Sequence, residues 1–180
     1  MVGLYPPEGG EVLLNGERVE ADGWDAYRQL FSVVFSDFHL FGRLLEAPRD
    51  GLDEEGNRLL AKLHLQHKVR VENGAFTTQA LSQGQRKRLA LVVAYLEGRP
   101  FLVFDEWAAD QDPLFKEVFY CEVLLELKRM GKAVLVITHD DRYFHLADRL
   151  VRLESGKLLA TEQLDGEQPT SVEMEAIEPP

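Results

Sequence analysis

A single cysteine, Cys121, is present in 180 residues. No internal disulfide can form, which suits a reducing compartment. Cys121 falls in a helix-like stretch, 115–129, where it reads as a half-buried small hydrophobe; nothing nearby would support a catalytic thiol. Positive charge is scarce: 20 Lys and Arg face 31 Asp and Glu, for a net charge of −11. That excludes wholesale nucleic-acid binding, though not a local basic patch. No apolar run approaches the ~20 residues that a membrane-spanning helix requires; the run Ala133–Ile137 is of strand length. The N-terminus, Met1-Val2-Gly3-Leu4-Tyr5-Pro6-Pro7, has no basic or long apolar region of the kind a signal peptide needs. The expectation is a soluble polypeptide whose membrane role, if it has one, comes through a partner or a missing segment.

What remains is 45% hydrophobic, enough for one globular domain with a real core. Asn15-Gly16 separates two short apolar runs, 11–14 and 17–19, and predicts a hairpin, because both turn residues tolerate positive φ. Residues 31–35 read as a strand, 36–41 as a loop, and 52–65 as a helix carrying Leu59, Leu60, Leu63 and Leu65. Gly74 and Thr77-Thr78 read as a loop. Ser82 and Gln85 form a Ser-x-x-Gln capping box. It opens a helix to about Glu97, with Leu89, Val92, Val93 and Leu96 on one side, and Gly98 and Pro100 stop it. An apolar strand at 101–104, a helix at about 114–129, a strand at 133–138, a short helix near 143–147 and a strand at 149–153 follow. Gly156 turns the chain into 157–159. Strands alternating with helices predict an α/β fold with a buried parallel sheet. The stretch 162–180 holds six acidic residues, three prolines and no Lys or Arg, and predicts a disordered acidic tail.

Three elements carry chemistry. Asp105-Glu106 ends an apolar strand, at the C-terminal edge where open α/β sheets bind ligands. One carboxylate could hold Mg²⁺ and the next could orient or deprotonate a water; alternatively the pair is an acidic strand end capping the next element. His139 ends a second apolar strand and should reach the same edge, to meet a terminal phosphate or to satisfy loop carbonyls. Ser82 and Gly84 lie at a helix N-terminus, where free N–H groups and the dipole favour an anion. Gly84 lets a phosphate approach the backbone closely. Arg86, Lys87 and Arg88 put positive charge in the first turn, unfavourable for the dipole unless solvent screens it or a negative partner offsets it.

Taken in order, these elements resemble the second half of an ATP-binding cassette (ABC) ATPase, over roughly residues 4–159. Leu81-Ser82-Gln83-Gly84-Gln85 resembles the signature Leu-Ser-Gly-Gly-Gln, with Gln83 replacing the first Gly. Residues 101–106 are similar to the Walker B strand plus catalytic Glu. Trp107-Ala108-Ala109-Asp110-Gln111-Asp112 stands in the place of the D-loop, and His139 matches the switch histidine. With Phe35-Ser36-Asp37-Phe38-His39-Leu40-Phe41 upstream, the segment ending at Pro113 resembles the bacterial exporters of cyclic peptides and siderophore precursors. In that branch a membrane domain precedes the ATPase on the same chain.

The resemblance implies a P-loop NTPase-like α/β nucleotide-binding domain over 1–161, with an N-terminal hairpin and a small helical subdomain at about 42–97. It implies ATP and Mg²⁺ as cofactors, a second nucleotide-binding domain packed head to tail, an exporter's transmembrane domain as partner, and a place at the cytoplasmic face of the bacterial inner membrane. Ser82, Gln83, Gly84 and Gln85 would contact nucleotide held by the opposite subunit. Asp105 would serve Mg²⁺, Glu106 would polarise water, His139 would meet the γ-phosphate and Asp112 would communicate across the dimer.

The sequence departs from the family at the phosphate loop. No Gly-x-x-x-x-Gly-Lys-Ser/Thr is present: Gly131-Lys132 and Gly156-Lys157 are followed by Ala and Leu. The chain opens on residues resembling the segment just after the P-loop helix. It therefore lacks the family's first core strand, the loop, most of its helix and the adenine-stacking aromatic. That loop supplies the backbone cradle, a Lys on the β/γ-phosphates and the Ser/Thr on Mg²⁺. The expectation is an N-terminally truncated cassette, inactive alone and poorly stable, with apolar edges where the family's strand would lie beside 133–138 and 149–153. Ser36 stands where most relatives have Gln, with Asp37 next to it, and Ala109 stands where the D-loop usually has Ser. Two other readings stay open: a non-catalytic module lending signature contacts to a complete partner, and a soluble ABC ATPase unlinked to transport.

Overall fold

In the computed structural model of the chain, residues 2–36, 44 and 50–164 are described. The expected loop residues 37–41 and the acidic tail beyond 164 lie outside them. Strand β1 (Leu13–Leu14) pairs antiparallel with β2 (Glu17–Arg18) around Asn15 and Gly16, at φ 53° and 85°. Both turn positions are left-handed, as the Asn-Gly pair predicts. A short helix, α1 (Trp24–Arg28), leads into β3 (Phe31–Val34).

The sheet is parallel, in the order β3, β6 (Phe101–Asp105), β7 (Ala133–Ile137). The central strand is apolar up to Phe104 because both its edges are paired and its faces are covered; Leu102, Val103 and Phe104 are buried. Phe31 pairs with Phe101, Phe104 with Val136, and Asp105 with Ile137. That register brings the residues after β6 and after β7 out at the same edge.

The crossover from β3 to β6 carries α2 (Leu52–Lys62), β4 (Val71–Glu72), β5 (Ala75–Phe76) and α3 (Gln83–Leu96). The expected loop near Gly74 is instead a hairpin: β4 and β5 pair antiparallel around Asn73 (φ 54°) and Gly74 (φ 69°). Two-residue strands are too short to show a period, but Asn-Gly was the available signal. The Asp53 carboxylate of α2 accepts from the Asn73 and Gly74 amides at 2.7 and 2.9 Å. Asn57 accepts from Val71 N and donates to Val71 O. Helix and hairpin are thus one unit.

Helix α3 buries more than the expected single side. Leu89, Leu91, Val92, Ala94, Tyr95 and Leu96 are all buried, because β3 and α2 both pack against it. The Tyr95 hydroxyl donates to Glu126 at 3.0 Å, and Lys62 pairs with the same carboxylate. Burial pushes the Tyr95 phenol up to about 12.

The expected helix at 114–129 begins one residue earlier. Asp112 caps it through Phe115 N, with Pro113 in its first turn. It has three parts: α4 (Pro113–Glu117), a π-helical turn (Val118–Val123) and α5 (Leu124–Arg129). The π turn places Phe119 against Phe104 (5.2 Å between centroids) and Trp107 (4.4 Å). All three rings are buried, each burial contributing roughly 1.5–3 kcal/mol.

After β7 come a 3₁₀ turn (Asp141–Leu146), β8 (Arg149–Glu154) and β9 (Lys157–Gln163). The last two pair antiparallel around Ser155 and Gly156, and the pairing continues two residues past 161. Among the described residues no ladder joins β7 to β8. Ile137, Val151, Leu153, Leu158 and Leu159 are exposed apolar side chains.

Gly56, in the buried face of α2, sets how closely the hairpin approaches. A Cβ there would lie 2.8 Å from Val71 Cγ2. Gly56→Ala is expected to destabilise by about 1–2 kcal/mol net, the overpacking outweighing the gain of up to ~1 kcal/mol in helix propensity. The urea unfolding midpoint measures it; a rise in midpoint would show that the hairpin yields freely.

Candidate functional site

Two groups of residues carry the expected chemistry, one at the C-terminal edge of the sheet and one at the start of α3. The first is Glu106 and His139. Glu106 leaves β6 with φ 50°, a left-handed conformation that costs a non-glycine residue about 1–3 kcal/mol and clusters at functional sites. Its amide donates to Ile137 O at 3.0 Å, so the strained residue is anchored on β7. Its carboxylate, 30% exposed, lies 3.2 Å from His139 Nε2. His139 is 96% exposed and makes that one polar contact among the described residues. Asp105, half-buried, ends the same strand beside it. The sequence placed these three residues at one edge, and the parallel register brings them there.

The second group is the signature turn. Ser82 Oγ accepts from Gln85 N, and Gln85 Oε1 accepts from Ser82 N, completing the capping box. Among the described residues three kinds of donor stay without an acceptor: the Ser82 hydroxyl proton, the Gln85 carboxamide N–H₂, and the first-turn amides of Gln83 and Gly84. They converge at a helix N-terminus, an anion-binding arrangement. Among the described residues a Cβ on Gly84 would meet only the Gln111 amide, at 3.7 and 3.8 Å. Packing inside the chain therefore leaves room for a side chain there, and the glycine keeps the backbone open to solvent.

The basic triplet is not a phosphate clamp. Lys87, 2% exposed, pairs with Asp110 at 2.8 Å. Arg88 donates to Gln111 Oε1 at 3.1 Å and to Asp112 Oδ2 at 2.7 Å, and its guanidinium lies 3.7 Å from the Phe115 ring centroid. Trp107, fully buried, donates its indole N–H to Lys87 O. Of the two alternatives, a negative partner within the same chain, in 110–112, answers for Lys87 and Arg88, and solvent for the exposed Arg86. Arg86 alone of the three is exposed and unpaired among the described residues. Asp112 is occupied twice, by the Arg88 ion pair and by capping α4 through Phe115 N at 2.9 Å.

Sequence reasoning missed the residues that grip the His139 loop. The Asp140 carboxylate accepts from Arg142 Nε and Nη2 (2.8 and 2.7 Å) and from Lys116 Nζ (3.3 Å). The hydrogen bonds from Arg142, then that from Lys116, hold its carboxyl at about 2. Thr138 Oγ1 accepts from the Tyr120 hydroxyl at 3.0 Å and from Asp140 N at 3.1 Å. The Arg-Asp spacing was visible in the sequence; the π turn that delivers Tyr120 was not.

Mg²⁺ prefers oxygen ligands and is commonly held by one or two carboxylates together with substrate phosphates. No cluster of three or more His, Cys, Asp or Glu able to hold a metal occurs among the described residues. A strand-end carboxylate at Asp105 suits a phosphate-shared ion rather than an all-protein cage.

A family model described as ABC transporter matches residues 1–109 of this chain. The chain belongs to the ABC transporter family. It is 53% identical over 161 residues to the ATP-binding protein SyrD of Pseudomonas syringae pv. syringae, covering 88% of this chain and 28% of that protein. It is 25% identical over 173 residues to the macrolide export ATP-binding/permease protein MacB of Vibrio parahaemolyticus, covering 87% and 26%. The chain thus spans little more than a quarter of these relatives. Among solved structures it is similar to the ATP-binding cassette MJ0796 in a post-hydrolysis dimer bound to ADP and Pi, with TM-score 0.73, 22% identity, and 92% of this chain and 78% of that one covered. It is also similar to a bacterial Atm1-family ABC exporter with ATP bound, with TM-score 0.70, 19% identity, and coverage of 88% and 29%. The α/β ABC cassette fold is therefore that of this chain.

The Lys87–Asp110 pair gives a prediction with a pH signature. Hydrogen bonding and charge from Lys87 lower the Asp110 pKa, so the pair's stabilisation is present above the unfolded carboxylate value and is lost as pH falls through the lower folded one. Asp110→Asn leaves a buried cation without its partner and is expected to lower the melting temperature at pH 7. Adding Lys87→Met should restore most of the loss. The gap between wild type and Asp110→Asn should close as acidification protonates the Asp110 carboxyl, which Lys87 holds below the ordinary carboxylate range; a pH-independent gap would mean the ion pair is not its source.

Proposed function

We propose that this chain is the ATPase module of an ABC exporter, acting on a small cyclic peptide or siderophore-type compound. The observation that carries the reading is the meeting of Asp105, Glu106 and His139 at one sheet edge, in a chain that also presents a capped Ser82–Gln85 turn with open donors. The exporter branch is supported by the pattern from Asp105 to Pro113 and by relatives such as the macrolide export protein. The partners are a second nucleotide-binding domain in head-to-tail contact and an exporter's transmembrane domain. Through that domain the chain sits at the cytoplasmic face of the inner membrane. Among the described residues no helix is long and apolar enough to cross a membrane.

In this reading each residue has one task. Glu106 accepts the proton of the attacking water and orients it. Its contact with His139 keeps the imidazole poised over the edge, where it donates to a terminal phosphate oxygen. Asp105 offers a carboxylate oxygen to Mg²⁺, which when bound neutralises phosphate charge. Ser82, Gln83, Gly84 and Gln85 donate to nucleotide held by the opposite subunit. Asp112, tied to the signature helix through Arg88, relays displacement between that turn and the loop after Glu106. The cassette runs through β9, which ends at Gln163 rather than at the expected 161, with a helical subdomain over about 42–97 and an acidic stretch after it.

The 180-residue chain has no Gly-x-x-x-x-Gly-Lys-Ser/Thr segment, so by itself it does not hydrolyse ATP. This same feature favours a second reading, in which the chain lends only its signature turn to a partner that carries a complete phosphate loop. The test mixes the purified chain with Mg-ATP, alone and with a complete cassette bearing its own phosphate loop and Glu→Gln at its catalytic position. No hydrolysis alone and ATP-dependent association with that cassette, lost in Ser82→Arg, are the expected results. Robust hydrolysis by the chain alone, abolished by Glu106→Gln, would overturn the claim of inactivity. Absence of ATP-dependent association would remove the signature role.

A further inference from the structure

We infer that Tyr120 is a positioning residue of the His139 loop, holding the imidazole beside Glu106 through Thr138. The inference rests on the reading of Glu106 and His139 given above. His139 is 96% exposed, so its own packing cannot fix it; the loop must be held by its flanks.

Both flanks are held. On one side the Tyr120 hydroxyl donates to Thr138 Oγ1 (3.0 Å), which accepts in turn from Asp140 N (3.1 Å). On the other, Asp140 is pinned by Arg142 and Lys116. Tyr120 and Tyr143 stack face to face, 4.1 Å between centroids and 9° between planes, with Arg142 5.5 Å from the Tyr143 centroid. The three residues Thr138-His139-Asp140 are therefore bracketed by a buried phenol and a carboxylate with two cationic partners.

Tyr120 occurs within the π-helical turn Val118–Val123. Single π turns inside α-helices are rare and frequent at functional sites, because one extra residue per turn rotates the following side chains. Here the turn lets consecutive residues serve two purposes: Phe119 goes into the Phe104–Trp107 core and Tyr120, 4% exposed, goes against Thr138 and Tyr143. Burial raises the Tyr120 pKa, so its proton stays available for donation.

The test is NMR of the full chain without nucleotide, which leaves hydrolysis out of the outcome. Glu106→Ala first sets the ¹⁵N ring shifts of a His139 lacking its partner. Tyr120→Phe keeps the stack on Tyr143 and removes one hydroxyl. It is expected to move the His139 ring shifts at least halfway to the Glu106→Ala values and to speed Asp140 amide exchange about tenfold, the worth of one hydrogen bond. Thr138→Val should behave alike, whereas Thr138→Ser should keep wild-type spectra. A residue that served only stability would lower the melting temperature while leaving the ring shifts unchanged. Wild-type ring shifts and Asp140 exchange in Tyr120→Phe would overturn the inference. If that variant does not fold, the Val and Ser variants of Thr138 decide, since identical behaviour of the two would overturn it equally. A His139 ring indifferent to Glu106→Ala would sink the Glu106–His139 pairing behind the proposed function, and Asp140 exchange would still decide Tyr120.

Discussion

The parallel pairing of β6 on both its edges is the constraint from which the rest of the arrangement follows. A strand with neighbours on both sides and cover on both faces has no polar position until it leaves the sheet. Phe101–Asp105 obeys this, and its first charged residue appears where pairing with β7 ends, at Asp105 opposite Ile137. The next residue, Glu106, is strained at φ 50°, yet its amide is still bonded to Ile137 O. The sheet over-determines a conformation that the residue would not choose. Because β7 runs parallel in a fixed register, the residue two places past Ile137 is His139, and its ring meets the Glu106 carboxylate.

The signature helix is tied to this edge by side chains rather than by the sheet. Trp107 is the pivot: its ring packs on Phe119 and Phe115, and its indole N–H holds the Lys87 carbonyl. Around it, Lys87–Asp110 and Arg88–Asp112 join α3 to the loop that follows Glu106. An exposed ion pair contributes little, but Lys87 is buried and Arg88 is also stacked on Phe115, so both cations are committed in geometry. Lys87 and Arg88 of α3 are therefore tied directly to the segment 107–112.

Much of this was legible in the sequence, for identifiable reasons. Capping box, Asn15-Gly16 hairpin and apolar strands each have a local cause, and each formed within a residue or two of its expected place. That Asp105, Glu106 and His139 lie at one edge was legible because strand ends follow from apolar runs. Three features were not read. The hairpin at Asn73-Gly74 has strands too short to show alternation. The π turn has the same composition as ordinary helix, so Tyr120's role depends on one hydrogen-bond shift that no periodicity reports. The fate of Lys87 and Arg88 depends on partners 23 and 24 residues away, brought close only by folding.

Those internal pairings also constrain the chemistry. Lys87, Arg88, Lys116 and Arg142 are each engaged by a carboxylate of the same chain. None of the four is free to neutralise a polyphosphate, and the chain as a whole carries a net charge of −11. In the proposed reading the favourable potential for nucleotide must come from other sources: the open amides of Gln83 and Gly84, the exposed Arg86, and a divalent cation at Asp105. Backbone amides and one helix terminus are worth a fraction of a full charge. Binding at this edge is then strongly coupled to the cation and to a phosphate loop carried elsewhere. In that reading the residues here orient the nucleotide more than they hold it, which an internally neutralised signature–loop unit suits.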